Sequence, residues 1–276
     1  MKRHALVIGI LLALAATVAV AQDIETTMAG RAQIGVALLS EAWLQNPAGL
    51  GLMGPADGMA AGEEYWRHSV AGQYEVQGDV DLRTVSWGGQ SPDGRYGIGA
   101  GWVDVAGMSE LGIGFGMGTE DSRFAWGVNY QSLDIERAGD LDIFDVGVGG
   151  RLNGLSATFD RATWGVVARD ITEEGTRTFD AGMSFESPDW RLAFDVEDVS
   201  NEVGTALQIG AATWFGQSRE WQAGAGLDDG NLTAGFVYHG QPADGGAAWK
   251  AGVAFIAGDD GMDDAWVLGA GADWGP

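Results

Sequence analysis

The chain has no cysteine. Disulfides, thiolate metal sites and a cysteine-linked lipid anchor are therefore excluded. Stability must come from hydrogen-bonded backbone and packing. Basic side chains are scarce: 15 Lys and Arg stand against 39 Asp and Glu, a formal net charge of −24. Phosphate contacts need a basic surface, so nucleic acid is excluded as a partner. Such an acidic balance suits a lumen, solvated turns or a preference for cations. Long apolar runs are also missing after the first residues. Nothing past residue 21 approaches the roughly 20 apolar residues of a membrane helix.

The opening segment has another character. Lys2 and Arg3 form a basic stretch, Ala5 to Val20 an apolar one, and Ala19-Val20-Ala21 a small-residue cleavage site. This is the pattern of a secretion signal over 1–21, and Gln22 is the expected first mature residue.

What the chain has instead is alternation. In Leu111-Gly112-Ile113-Gly114-Phe115-Gly116-Met117-Gly118, large apolar residues alternate with glycine. Side chains on a strand point alternately to its two faces, so one face is apolar and the other nearly bare. The pattern recurs. Phe124, Trp126, Val128 and Tyr130 oppose Ala125, Gly127, Asn129 and Gln131; Trp266, Leu268, Ala270 and Trp274 oppose Val267, Gly269, Gly271 and Asp273. The expected strands are 65–76, 79–90, 95–106, 110–119, 123–133, 142–152, 162–171, 176–186, 190–200, 204–215, 219–228, 231–240, 246–257 and 263–274. That even number suits a closed bacterial barrel. Pro92-Asp93-Gly94, Asn153-Gly154 and Asp229-Gly230 supply tight hairpin turns. Trp66, Trp190, Trp221 and Trp274 fall near strand ends, where interfacial aromatics belong. A soluble secreted β-protein is the rival fold, but it would leave large apolar patches in water.

Residues 22–64 form a separate segment. Ile34, Ala37, Leu38 and Trp43 allow short helical periods, and Asn46-Pro47-Ala48-Gly49-Leu50-Gly51 breaks them. The glycine-rich inner faces of the strands need a reason, since glycine weakens a strand. Close approach of a plug or ligand is one; strong local bending is the other.

Chemistry-bearing residues are few. His68-Ser69 cannot form a proton-transfer pair, because strand neighbours face opposite ways. His239 with a distant serine is the alternative for a lipid hydrolase. Gly258-Asp259-Asp260-Gly261-Met262-Asp263-Asp264 is carboxylate-dense but lacks the ligand spacing of a calcium loop. Neither an enzymatic centre, a cofactor nor a metal site is expected. Parity directs Arg151 and Arg191 into the lumen with Asp145, Asp180 and Asp195, as ion pairs or as a substrate-selecting ladder.

Ala29-Gly30-Arg31-Ala32 followed by Leu44-Gln45-Asn46-Pro47-Ala48-Gly49-Leu50 resembles the N-terminal signature of FadL-like outer-membrane proteins. The runs Trp190–Ser200 and Trp221–Phe236 resemble the PorV-like branch. The resemblance implies a 14-stranded barrel with an N-terminal segment in or near its lumen, in which Arg31, Asn46, Pro47, Ala48 and Gly49 act as plug or gate. FadL-like proteins pass hydrophobic molecules; PorV-like proteins carry secreted proteins.

The expectation is an all-β chain: a transmembrane antiparallel up-and-down β-barrel over 65–276, with a short helical or irregular plug over 22–64. Its expected place is the bacterial outer membrane, with outer-membrane lipid as its surroundings. Its expected task is passive transport of a small hydrophobic ligand, the plug capturing it and then moving around Asn46-Pro47. Docking of a secreted protein by a silent barrel is the alternative.

Overall fold

The computed structural model describes residues 42–52, 66–119, 123–136, 139–154, 158–172, 176–240, 247–258 and 263–275. The secretion signal, Arg31 and the centre of the acidic 258–264 turn lie outside the described residues.

Alternating sequence becomes strand throughout. The strands are β1 (Arg67–Gln77), β2 (Val80–Gln90), β3 (Tyr96–Val105), β4 (Met108–Gly118), β5 (Ala125–Ile135), β6 (Gly139–Asn153), β7 (Arg161–Arg169), β8 (Thr178–Glu186), β9 (Trp190–Glu197), β10 (Ala206–Phe215), β11 (Trp221–Asp228), β12 (Asn231–Gly240), β13 (Ala248–Ile256) and β14 (Ala265–Trp274). Each pairs antiparallel with its sequence neighbours, and β1 pairs with β14, so the sheet closes into a barrel. The seam register sets His68 opposite Trp274 and Gln77 opposite Ala265. Closure leaves no strand edge to pair with another chain. The expected fourteen strands are all present. The largest boundary differences are at β6, which starts at Gly139, and β9, which stops at Glu197.

The outer face is apolar. Leu111 is 61% exposed, Trp266 58% and Phe236 57%. Their strand neighbours Glu110, Val267 and Val237 are buried inside. An apolar band this continuous around a closed barrel calls for hydrocarbon as its solvent. Outward indoles mark both ends, and Trp102 and Trp266 lie near the end where β14 begins. The outward Trp126, Trp190, Trp221, Trp249 and Trp274 all sit at the end where β1 begins and β14 finishes, here the terminus end. There Trp221 packs edge-on against Tyr238, with ring centres 4.9 Å apart. An indole suits a headgroup boundary because one edge is polar and the rest apolar.

At the far end, β9 stops because the chain turns left-handed at Asp198 (φ 48). The Asp198 carboxylate closes the turn. It accepts from the Ser200 hydroxyl at 2.7 Å and from the backbone N–H groups of Val203 and Gly204 at 2.6 and 2.9 Å. Burial opposes its ionisation, yet these donors outweigh burial and hold the carboxyl down at about 2. A carboxyl held below its ordinary value of about 3.9 stabilises the fold above that pH and loses the contribution as pH falls toward its folded value. The protection of the Val203 and Gly204 amides from exchange, relative to an unstructured peptide at the same pH, should therefore hold at pH 4 and fall on approach to pH 2. In Asp198→Ala it should be low at both pH values.

Candidate functional site

Two short elements lie inside the barrel. One helical turn, α1 (Ala42–Gln45), leads through Asn46 into a 3-10 turn, Pro47–Gly51. The sequence predicts a helix break at Asn46-Pro47, and the physical outcome is a second, tighter helix. The Asn46 side chain caps it by accepting from the Ala48 N–H at 3.1 Å. Proline fits the first position, where its missing N–H costs nothing. Residues 42–52 pack on the wall formed by β2 to β6. Leu44, Ala48 and Leu50 are fully buried.

The bare inner wall now has its reason. A Cβ on Gly127 would collide with the carbonyl group of Pro47 and the nitrogen of Ala48. One on Gly116 would meet the Pro47 carbonyl oxygen, and one on Gly118 the Gly51 carbonyl. These are backbone atoms that cannot step aside, so the glycines allow the plug backbone to lie directly on the strands.

Arg169, the last residue of β7, holds the plug from the other side. Its Nη1 donates to the Leu44 carbonyl at 2.6 Å and its Nη2 to the Gln45 carbonyl at 3.0 Å. Its Nε donates to Asp180 at 2.6 Å, and its Nη1 also reaches Asp145 at 3.3 Å. A planar guanidinium can serve these diverging acceptors at once. The two carboxylates have further duties. Asp145 accepts the Asp170 N–H at 2.8 Å, and Asp180 accepts the Asp198 N–H at 2.9 Å. Arg169 thus joins the plug to two strands and two far-end turns. In the expected strand 162–171 it is not terminal, and parity does not direct it inward with Arg151 and Arg191. Its two plug acceptors lie 125 and 124 residues away along the chain.

The expected lumen charges do all point inward, but they do not form one ladder. Asp145, Asp180 and Asp195 are buried toward the far-end turns after β7 and β9, beside Glu110 and Glu197. Arg151 and Arg191 sit nearer the terminus end, around Glu186 rather than those aspartates. Arg191 Nε lies 3.2 Å from Glu186 Oε1, and Arg161 bonds the other oxygen of the same carboxylate. His239, inside the barrel, shares a 3.2 Å hydrogen bond with Gln222. His68 faces outward, stacked on Trp87 and tilted against Trp274, while Ser69 faces inward. Among the described residues no group of His, Asp and Glu has the arrangement of a metal site.

Toward the far end the inner wall turns apolar. Met108 and Leu133 are buried there, with Val105, Ile135, Leu141 and Ile143 packed against them. This patch lies just beyond Glu110, whose cross-strand partner is Leu133. The wall of β3 to β6 therefore runs from an apolar mouth past buried carboxylates to the seated plug.

A closed barrel of this fold is found in solved structures. The toluene transporter TbuX of Ralstonia pickettii superposes with a TM-score of 0.58 and 10% identity, covering 92% of this chain and 97% of its own. The toluene transporter TodX of Pseudomonas putida gives 0.50 and 12%, with the same coverage. The chain has the barrel fold of the FadL-family toluene transporters. The resemblance in sequence is thus joined by a likeness in fold. No family model and no curated protein matches the sequence.

Proposed function

We propose that this chain is an outer-membrane channel that passes small hydrophobic compounds when residues 42–52 leave the wall. The observation that carries the reading is the plug itself: a separate segment seated on glycines, held by hydrogen bonds rather than by covalent links. The apolar patch at the far-end mouth supplies a place of capture. Two transporters of toluene share the fold, which favours a compact apolar cargo. Leu44 and Leu50 are already buried against the wall. Capture therefore falls to the patch, and the plug serves as the movable barrier.

Uptake of labelled toluene by intact Gram-negative cells tests this. Cells expressing the chain should take it up faster than cells without it. Ile135→Asn with Ile143→Asn should reduce uptake about tenfold, as loss of one or two buried aliphatic contacts would. Equal uptake with and without the chain would refute the reading.

A further inference from the structure

The terminus-end mouth of the lumen gathers several of the chain's few arginines. Arg151, Arg161 and Arg191 point inward there from β6, β7 and β9. Glu186 answers two of them at once. Arg161 occupies one carboxylate oxygen through both Nε and Nη2, and Arg191 lies against the other. The Arg191 contact is an ion pair without hydrogen-bond alignment, so the buried Nε makes no hydrogen bond. On its other side the Arg191 guanidinium stacks over Trp214, 5.4 Å from the ring centre. Arg219, exposed on the turn between β10 and β11, covers the same ring at 5.6 Å. Its backbone is held left-handed, at φ 56.

Two guanidinium groups are thus set around one indole, and a single carboxylate is shared between two of the arginines of this arc. Asp160, Asp189 and Glu220 lie on turns at the same end; the Glu220 carboxylate accepts the Ser218 N–H at 2.8 Å. A planar guanidinium with free donors binds an oxyanion by paired hydrogen bonds, and an aromatic face keeps it oriented. Toward the far end stand Asp180, Asp195, Glu197 and Asp228, and Arg169 is already committed to the plug. An anion would be repelled from that zone and would reach the arginines from the terminus end.

We propose that Arg191 and Arg219, both packed against the Trp214 ring at 5.4 and 5.6 Å from its centre, form a binding subsite for a small oxyanion, the carboxylate of an organic acid or phosphate, loaded from the terminus end. The subsite binds; it does not depend on cargo passing the plug.

Calorimetry of the full chain in detergent tests it, with sodium benzoate, its neutral counterpart benzyl alcohol, and inorganic phosphate as probes. Benzoate should bind, and benzyl alcohol should bind at least about tenfold more weakly. Raising salt should weaken benzoate binding. Arg219→Gln, on an exposed turn, should weaken it severalfold, and Arg191→Gln further. If Arg191→Gln does not fold, Trp214→Leu serves, because it removes the ring that orients both groups. Phosphate binding as tight as benzoate identifies a free inorganic ion as the occupant; benzoate alone identifies an organic acid. No heat with either anion would overturn the subsite, and so would equal affinity in the wild type and Arg219→Gln.

Discussion

Replacing Arg169 by methionine should release the plug and cost the barrel about 3–5 kcal/mol. Breaking a buried ion pair by removing one partner carries that cost because the other charge stays buried and unanswered. Here two carboxylates, Asp145 and Asp180, lose the same cation, and the carbonyls of Leu44 and Gln45 lose their donor. Each carboxylate also anchors a far-end turn through a backbone N–H, so the damage should spread to Asp170 and Asp198. Urea unfolding in micelles, followed by gel mobility, measures the loss. Arg169→Lys should recover little of it, because an ammonium is a point charge that cannot span four diverging acceptors. Restoration by lysine would mean that charge alone matters there. An unchanged midpoint in the methionine variant would mean that the network contributes nothing.

Substitution at Gly127 should have the converse effect, evicting the plug from an intact barrel. The glycine lies inside β5, paired with Gly116 and Gly147, and keeps its ladder bonds whatever its side chain. A methyl group there falls on the Pro47 carbonyl and the Ala48 nitrogen. Overpacking a fitted contact costs typically 1–3 kcal/mol, so Gly127→Ala should shift the seated plug toward the free state by roughly fivefold to more than a hundredfold. The chain has no cysteine, so an Ala48→Cys reporter can be labelled without background. Labelling should be slow in the Ala48→Cys protein and at least about fivefold faster once Gly127→Ala is added. Equal rates would show that the wall glycines have another purpose.

The barrel was legible in the sequence because its physics is local. Period-two alternation, as at Leu111–Gly118, depends only on neighbours along one strand, and the turns at Asn153-Gly154 and Asp229-Gly230 announce themselves. The plug was legible in part. Asn46-Pro47 is a visible break, and bare glycine faces signal that something approaches closely. Which backbone approaches was not visible, since Gly127 meets Pro47 only once the sheet has closed. Arg169 escaped for the same reason. Its plug acceptors are carbonyls, which every residue has, so no side-chain pattern marks the contact. The candidate lumen charges lie at different heights along the barrel. Parity gives the face on which Arg151, Arg191 and Asp145 lie, but not their height along the barrel. Only the cross-strand register separates the carboxylates toward the far end from the arginines at the terminus end. The apolar patch around Met108 and Leu133 was hidden likewise, because its members come from the ends of four strands.

Whether the plug must move for cargo to pass is tested most directly by tying it down reversibly. Ala48 and Ala125 pack in the same buried cluster, one on the plug and one on β5. In a chain without native cysteine, the pair Ala48→Cys and Ala125→Cys can form only one intramolecular disulfide. Toluene uptake by cells carrying this variant should fall to the level of cells without the chain when the bond is oxidised, and return on reduction. Uptake that is the same in both states would contradict the plug as gate.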